Sequence, residues 1–173
     1  MKLITGGARS GKSLYAEKLA IKIGNGRAAY IATAQALDDE MSKRIETHKI
    51  RRGANWQTFE APFNADEKIL LAGEQFSAIL FDCVTMYISN LICADKSEEE
   101  ILTAIEKLIS AASKITAVTI FVTNEVGGGL VPENELGRRF RDIAGTANQR
   151  LAAASDEVIL MVSGIPLVIK KWR

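Results

Sequence analysis

At 173 residues the chain is long enough for one domain with a complete core and too short for two of ordinary size. Hydrophobic residues at 47% and charged residues at 25% exclude a disordered chain, and no apolar run reaches the roughly 18 residues that suggest a membrane span. The 22 basic and 21 acidic residues leave a net charge of +1, so no general attraction to nucleic acid is expected and any basic function is local.

Lys2 to Thr5 reads as a short strand and Ser13 to Ile23 as a helix, with a glycine turn between them. A strand and turn at the very start are not the pattern of a leader peptide. A second strand is expected over Ala28 to Thr33 (AAYIAT). A polar helix follows over Asp38 to Arg52, opened by Asp38, Asp39 and Glu40, which suit the positive end of a helix dipole. Trp56 to Glu60 reads as a short strand and Ala78 to Phe81 (AILF) as a buried one ending at Asp82. Ser97 to Ser113 is the clearest helix: Ser97 and Glu100 make a capping box, and Ile101, Ile105, Leu108 and Ala112 form its apolar stripe. Ala117 to Val122 (AVTIFV) is another buried strand. Pro132 precedes a long helix over Asn134 to Ala154, with Leu136, Phe140, Ile143, Ala147 and Leu151 on one side. Val158 to Val162 and Leu167 to Ile169 close the chain as strands paired near Gly164. Apolar strands separated by helices predict a single α/β domain over 1–173. Its sheet is mostly parallel and covered on both faces, with an antiparallel C-terminal edge. Cys83 and Cys93 form no CxxC pair and the chain has one histidine, so zinc is not expected. Two unpaired thiols suit a reducing cytoplasm.

Between the first strand and helix, Gly6-Gly7-Ala8-Arg9-Ser10-Gly11-Lys12-Ser13 fits G-x-x-x-x-G-K-[ST] in its required strand–turn–helix context. Small residues let successive backbone N–H groups turn inward around phosphates, and the helix start adds partial positive charge. Lys12 can reach the outer phosphate oxygens, and the Ser13 hydroxyl can hold Mg²⁺. A second acidic group for that metal is expected at the end of a neighbouring buried strand, where Asp82 stands. Glu125, after TIFVTN, is a second candidate for such a place. A P-loop domain using a nucleoside triphosphate with Mg²⁺ is expected.

The one histidine, His48, lies in RIETHKIRRGANW among Arg44, Lys49, Arg51 and Arg52. A helical step of about 100° per residue puts Met41, Ile45, His48 and Arg52 on one side. In one reading His48 packs against Met41 and Ile45 with a single hydrogen bond. In the other it is a nucleophile: neighbouring cations disfavour imidazolium, and the arginines can clamp phosphate oxygens. The spacing alone supports either.

Beyond these motifs, the chain resembles the bifunctional adenosylcobinamide kinase / adenosylcobinamide-phosphate guanylyltransferases of cobalamin synthesis. The resemblance rests on ITGGARSGKS with Ala16-Glu17, YIATAQALDDEM, RIETHKIRR with WQTFE, and FDCVTMYISNL. It continues in the block from Val122 to Val158 (VTNEVG…VPENELGRRFRDIAGTANQRLA…) and in SGIPLVIK. It implies a P-loop fold related to RecA and GMP carried covalently on His48. It also implies nucleotide contacts at Gly6 through Ser13, near Thr33, at Lys49, Ile50, Arg51 and Arg52, and at Glu60 and Asp82. Catalytic roles fall to His48, Lys12 and Asp82, with Ser13 and Asp82 on Mg²⁺. The implied reactions are phosphorylation of adenosylcobinamide with ATP or GTP, then GMP transfer from GTP to give adenosylcobinamide-GDP. The implied partners are nucleotide and corrinoid, in a homo-oligomer that is a trimer in the family, with the site near a subunit boundary.

Other features carry two readings each. Arg138, Arg141 and Gly145 are a solvated helix face or an approach for a subunit or corrinoid. Gly127 to Gly129 is a loop or a lid, and Trp56 and Phe59 are core residues or a guanine stack. Against the bifunctional enzyme stand a simple P-loop kinase with a structural His48 and a nucleotide-gated binding module.

Overall fold

The computed structural model describes residues 1–36 and 39–171, with the side chains of Glu40, Arg44, His48 and Arg51 outside that description. The elements run β1 (Lys2–Gly6), α1 (Lys12–Ile23), β2 (Ala28–Ala32), α2 (Asp39–Arg52), a 3-10 turn (Gly53–Asn55) and β3 (Trp56–Glu60). They continue α3 (Ala65–Gly73), β4 (Ala78–Asp82), α4 (Val84–Cys93), α5 (Glu98–Lys114), β5 (Val118–Val122), α6 (Glu135–Ala154), β6 (Glu157–Val162) and β7 (Ile165–Lys171). Of the acids expected to open the second helix, Asp39 begins α2, while Asp38 and the Glu40 side chain lie outside the described residues.

All seven strands form one sheet in the order β3-β2-β4-β5-β1-β6-β7. Every pairing is parallel except β6 with β7, the antiparallel edge the sequence predicts. Because strand side chains alternate, neighbouring residues feed opposite faces. Leu3, Ile31, Ile79, Phe81 and Phe121 join the cluster built with α3, α4, α5 and α6, whereas Ile4, Tyr30, Leu80, Ile120 and Val122 join the cluster under Ala16 and Ala20 of α1. Among the described residues, four helices contribute to the first cluster and α1 alone to the second.

Local chemistry sets the boundaries. The Ser97 hydroxyl accepts from the Glu100 N–H at 3.2 Å and Glu100 Oε2 accepts from the Ser97 N–H at 2.8 Å, the expected capping box. Asn134 caps α6 by accepting from the Gly137 N–H. Leu136, expected on the apolar stripe, is exposed, because the first turns of α6 run past the core and full burial begins at Ile143. Helices α3 and α4 are not foreseen from the sequence. In α4 the buried residues Val84, Thr85, Tyr87, Ile88, Asn90, Leu91 and Ile92 enclose all but the face of Met86, Ser89 and Cys93, a band too wide and too mixed to read as an apolar stripe.

Candidate active site

The register of the parallel strands brings their carboxyl ends to one edge: Glu60 pairs with Ala32, Ala32 with Asp82, Asp82 with Val122, and Val122 with Ile4. Ligands of open α/β sheets bind at such an edge. Here β1 gives way to α1 through the glycine-rich turn.

That turn is wedged against the β6–β7 turn. Gly6 has φ +150°, and a Cβ on it would lie 2.5 Å from the Met161 carbonyl oxygen and 2.9 Å from Ser10 Oγ. Gly11 has φ +93°, and its Cβ would meet Gly164 Cα at 3.3 Å. The Gly164 N–H donates to the Ser10 carbonyl at 2.9 Å, and Arg9 takes a left-handed φ of 56°. Lys12 folds back into the turn, its Nζ donating to the Gly7 carbonyl at 2.5 Å and lying 3.5 Å from Ser10 Oγ. Burial lowers the Lys12 pKa, while nearby Cys83 and Asp82 oppose that shift.

Asp82 closes β4 two strands from β1, and Tyr30 Oη donates to its Oδ2 at 2.9 Å. Burial, reinforced by the Asp82 charge, raises Tyr30 well above the usual phenol value, so its hydroxyl keeps its proton. Burial likewise pushes the Cys83 thiol up to about 11, which leaves it neutral and unsuited to nucleophilic attack at neutral pH. Between β1 and β4, the loop after β5 presents Asn124, whose Nδ2 donates to Thr85 Oγ1 at 2.9 Å. Its carbonyl accepts from Asn148 Nδ2 at 3.2 Å, and Asn148 Oδ1 accepts from Thr123 Oγ1 at 2.7 Å.

These groups surround a cleft of about 1010 Å³. One side is the turn from Ala8 to Leu14, and another is the strand ends with Tyr30, Glu60, Asp82 and Asn124. The third is α2, through Met41, Lys43, Ile45, Thr47, Lys49 and Arg52. Lys49 Nζ lies 3.3 Å from Glu60 Oε1, and the buried Arg52 guanidinium sits 3.4 Å from the centre of the Tyr30 ring. Met41, Ile45 and Arg52, three of the four residues that share a side by helical spacing, line the cleft, as do Lys43 and Thr47 from the other side of α2; the fourth, His48, has its side chain outside the described residues.

The profile of the family described as cobinamide kinase / cobinamide phosphate guanyltransferase matches residues 2–169. The chain belongs to that family. As a member it is a bifunctional kinase and guanyltransferase of cobalamin biosynthesis. Its similarity to the bifunctional adenosylcobalamin biosynthesis protein CobU of Salmonella typhimurium is 48% identity, over 98% of this chain and 99% of the relative. The CobU of Escherichia coli is 46% identical over the same shares. The CobP of Pseudomonas aeruginosa is 40% identical over 97% of this chain and 96% of its own. The flagellar accessory protein FlaH of Methanocaldococcus jannaschii superposes with a TM-score of 0.52 over 98% of this chain and 77% of that one. At 16% identity, this likeness bears on the fold alone.

Of the residues singled out from sequence, Ala8, Arg9, Ser10, Gly11, Lys12, Ser13, Lys49, Arg52, Glu60 and Asp82 line the one cleft. Gly6 is pressed against Met161, and the Gly7 carbonyl accepts from Lys12. Thr33 does not line the cleft: it is fully buried, and its hydroxyl donates to the Cys83 carbonyl and accepts from the Cys83 N–H, fastening β2 to β4. Its neighbours Ala32 and Ala34 line the wall instead. Ile50 is 75% exposed and away from the cleft lining, and the Arg51 side chain lies outside the described residues. Glu125 is a loop fastener, its N–H on the Gly6 carbonyl and its carboxylate on the Gly127 N–H. Phe59 packs edge-on to Phe76 and Trp56 edge-on to Tyr30, which is core packing. Arg138 is tied to the Pro132 and Glu133 carbonyls. Sequence reasoning missed Tyr30, Met86 and Asn124 as cleft residues; the available signal was a lone phenol inside the apolar run AAYIA.

Proposed function

We propose that one phosphate cradle serves both reactions of the family, and that His48 on α2 is the group that carries guanylate from GTP to the phosphate ester in the second. The observation that carries this reading is the shared cleft. The helix bearing residue 48 lines the same space as the P-loop, through Met41, Lys43, Ile45, Thr47, Lys49 and Arg52.

In the first reaction the hydroxyl of adenosylcobinamide attacks the γ-phosphorus of ATP or GTP. The bond to the β-phosphate oxygen breaks, the nucleoside diphosphate leaves and the hydroxyl proton is released. In the second, a ring nitrogen of neutral His48 attacks the α-phosphorus of GTP and pyrophosphate departs. An oxygen of the new phosphate ester then displaces the imidazole, giving adenosylcobinamide-GDP. Splitting the transfer in this way is covalent catalysis. The N–H groups of residues 7–13 cradle the phosphates, and Lys12 exchanges the Gly7 carbonyl for phosphate oxygens. Lys49 and Arg52 meet charge arriving from the α2 side.

The donor set fits Mg²⁺. Among the described residues no group of three or more His, Cys, Asp or Glu side chains could hold a metal, as a structural zinc would need. One carboxylate, Asp82, and one hydroxyl, Ser13, are what an ion completed by phosphate oxygens and water requires. Bound there, Mg²⁺ would neutralise phosphate charge; the residues that would hold it are Ser13 and Asp82.

A homo-oligomer, a trimer by resemblance to the family, is supported by β7. This edge strand exposes Ile165, Leu167, Val168 and Ile169, a surface rarely left bare. Among the described residues no helix is long and apolar enough to cross a membrane, and the free thiols Cys83 and Cys93 fit a reducing cytoplasm.

The test uses GTP labelled in its α-phosphate. Wild-type protein with Mg²⁺ acquires acid-labile, alkali-stable label; His48→Ala acquires none yet still phosphorylates adenosylcobinamide. Label on the alanine variant, or none on active wild type, would contradict the assignment.

A further inference from the structure

We infer that Tyr30 is a positioning residue that joins the two halves of the active site, its hydroxyl orienting Asp82 and its ring seating the end of α2. This rests on the roles proposed above for Asp82 and His48.

Tyr30 is 5% exposed and belongs to the core under α1, where a phenylalanine would fill the same apolar space. A buried phenol needs a partner, and Tyr30 donates to Asp82 Oδ2, at 2.9 Å. That bond spans neighbouring strands and fixes the rotation of the carboxylate at the lip of the cleft. Losing a group that orients a ligating carboxylate in this way typically costs about 10–100-fold in metal affinity or activity.

The ring works separately from the hydroxyl. Arg52, the last residue of α2, is 8% exposed and places its guanidinium 3.4 Å from the ring centre. Trp56 meets the same ring edge-on at 5.9 Å and 84°. Among the described residues, none of α2 belongs to either hydrophobic cluster. The helix is seated at this end by a cation on an aromatic face and by the Lys49–Glu60 pair. The helix that presents residue 48 and the carboxylate beside the phosphates therefore bear on one side chain, through different atoms.

Separating the atoms tests this. GDP does not react, so the Mg²⁺ dependence of fluorescent GDP binding reads the carboxylate without turnover, while labelling from α-labelled GTP reads α2. For Tyr30→Phe the Mg²⁺ needed for half-maximal tightening of GDP should rise about tenfold, and labelling should recover as Mg²⁺ is raised. For Tyr30→Leu the same shift should appear, with labelling still down at least about tenfold at saturating Mg²⁺. Arg52→Met should reproduce the labelling loss without the Mg²⁺ shift, which keeps the test open if Tyr30→Leu fails to fold. An unshifted Mg²⁺ requirement in Tyr30→Phe, or Arg52→Met labelling like wild type, would overturn the inference. Two controls judge the underlying roles apart from it. If Asp82→Asn leaves the Mg²⁺ requirement unchanged, or His48→Ala still takes label, the site reading falls and this inference with it. If both controls behave, the Tyr30 results decide the coupling alone.

Discussion

The two helices that border the cleft are held in opposite ways. α1 begins inside the phosphate turn and buries Ala16 and Ala20 against the sheet; its N-cap Gly11 packs closely on Gly164, and Gly6, where the turn opens, lies so near the Met161 carbonyl that a Cβ has no room. α2 adds no described residue to the core and is anchored at its C-terminal end by Arg52 on Tyr30 and Lys49 on Glu60. The difference suits the chemistry proposed above. A cradle that binds phosphate in both reactions gains from rigidity, because displaced donors lose strength steeply. A helix that carries the acceptor for only one of them need not be locked in place for the other.

The largest test of this contrast is Lys12→Ala. If one cradle serves both steps, kcat/KM for kinase and transferase should each fall by about 10²–10³, the usual cost of removing a transition-state donor. Loss of one activity alone, in steady-state assays run side by side, would separate the cradles. Next comes Gly6→Ala. Its Cβ would enter the space of the Met161 carbonyl, so stability should drop by about 1–3 kcal/mol in denaturant titrations, with nucleotide affinity falling too. On the α2 side, a double-mutant cycle over Lys49→Ala and Glu60→Ala should return a coupling of at most about 1 kcal/mol that shrinks with salt, since both groups are about half exposed. A larger, salt-insensitive value would mean that α2 is locked as firmly as α1.

The smallest effects belong to α5, which forms no part of the cleft. Ser97→Ala should cost about 1 kcal/mol of stability and leave both reactions unchanged. The hydrogen bond from Lys96, followed by those from Ser97, holds Glu100 down at about 2, from an ordinary 4.5. A depressed carboxyl contributes stability above pH 4.5 and loses it as pH falls through about 2. Glu100→Gln should therefore flatten acid unfolding across that window, measured by circular dichroism against pH.

What was legible in the sequence was local. The glycine spacing from Gly6 to Ser13, Asp82 at the end of AILF and the Ser97–Glu100 box each lie within one short stretch, and each appears where expected. That α2 is a helix was legible too, because helical geometry is periodic, but the cleft takes residues from both of its sides, Lys43 and Thr47 as well as Met41, Ile45 and Arg52. What escaped depends on pairings across the sheet. Tyr30 meets Asp82 across 52 positions, and the lone phenol in the apolar run AAYIA hints at a polar partner without saying which. Thr33 belongs to a motif that implies nucleotide contact, yet strand pairing turns its hydroxyl onto Cys83. α4 is enclosed on most sides, which erases the pattern that would have shown it.

The central claim is that residue 48 takes guanylate from a triphosphate seated in the P-loop. Mass spectrometry of peptides from protein incubated with GTP and Mg²⁺, kept alkaline throughout, reads it directly. One GMP adduct is expected in wild type, on the peptide holding His48, and the same adduct formed about 10²–10³ times more slowly in Lys12→Ala. An adduct on any other residue, or an undiminished one without Lys12, would contradict it.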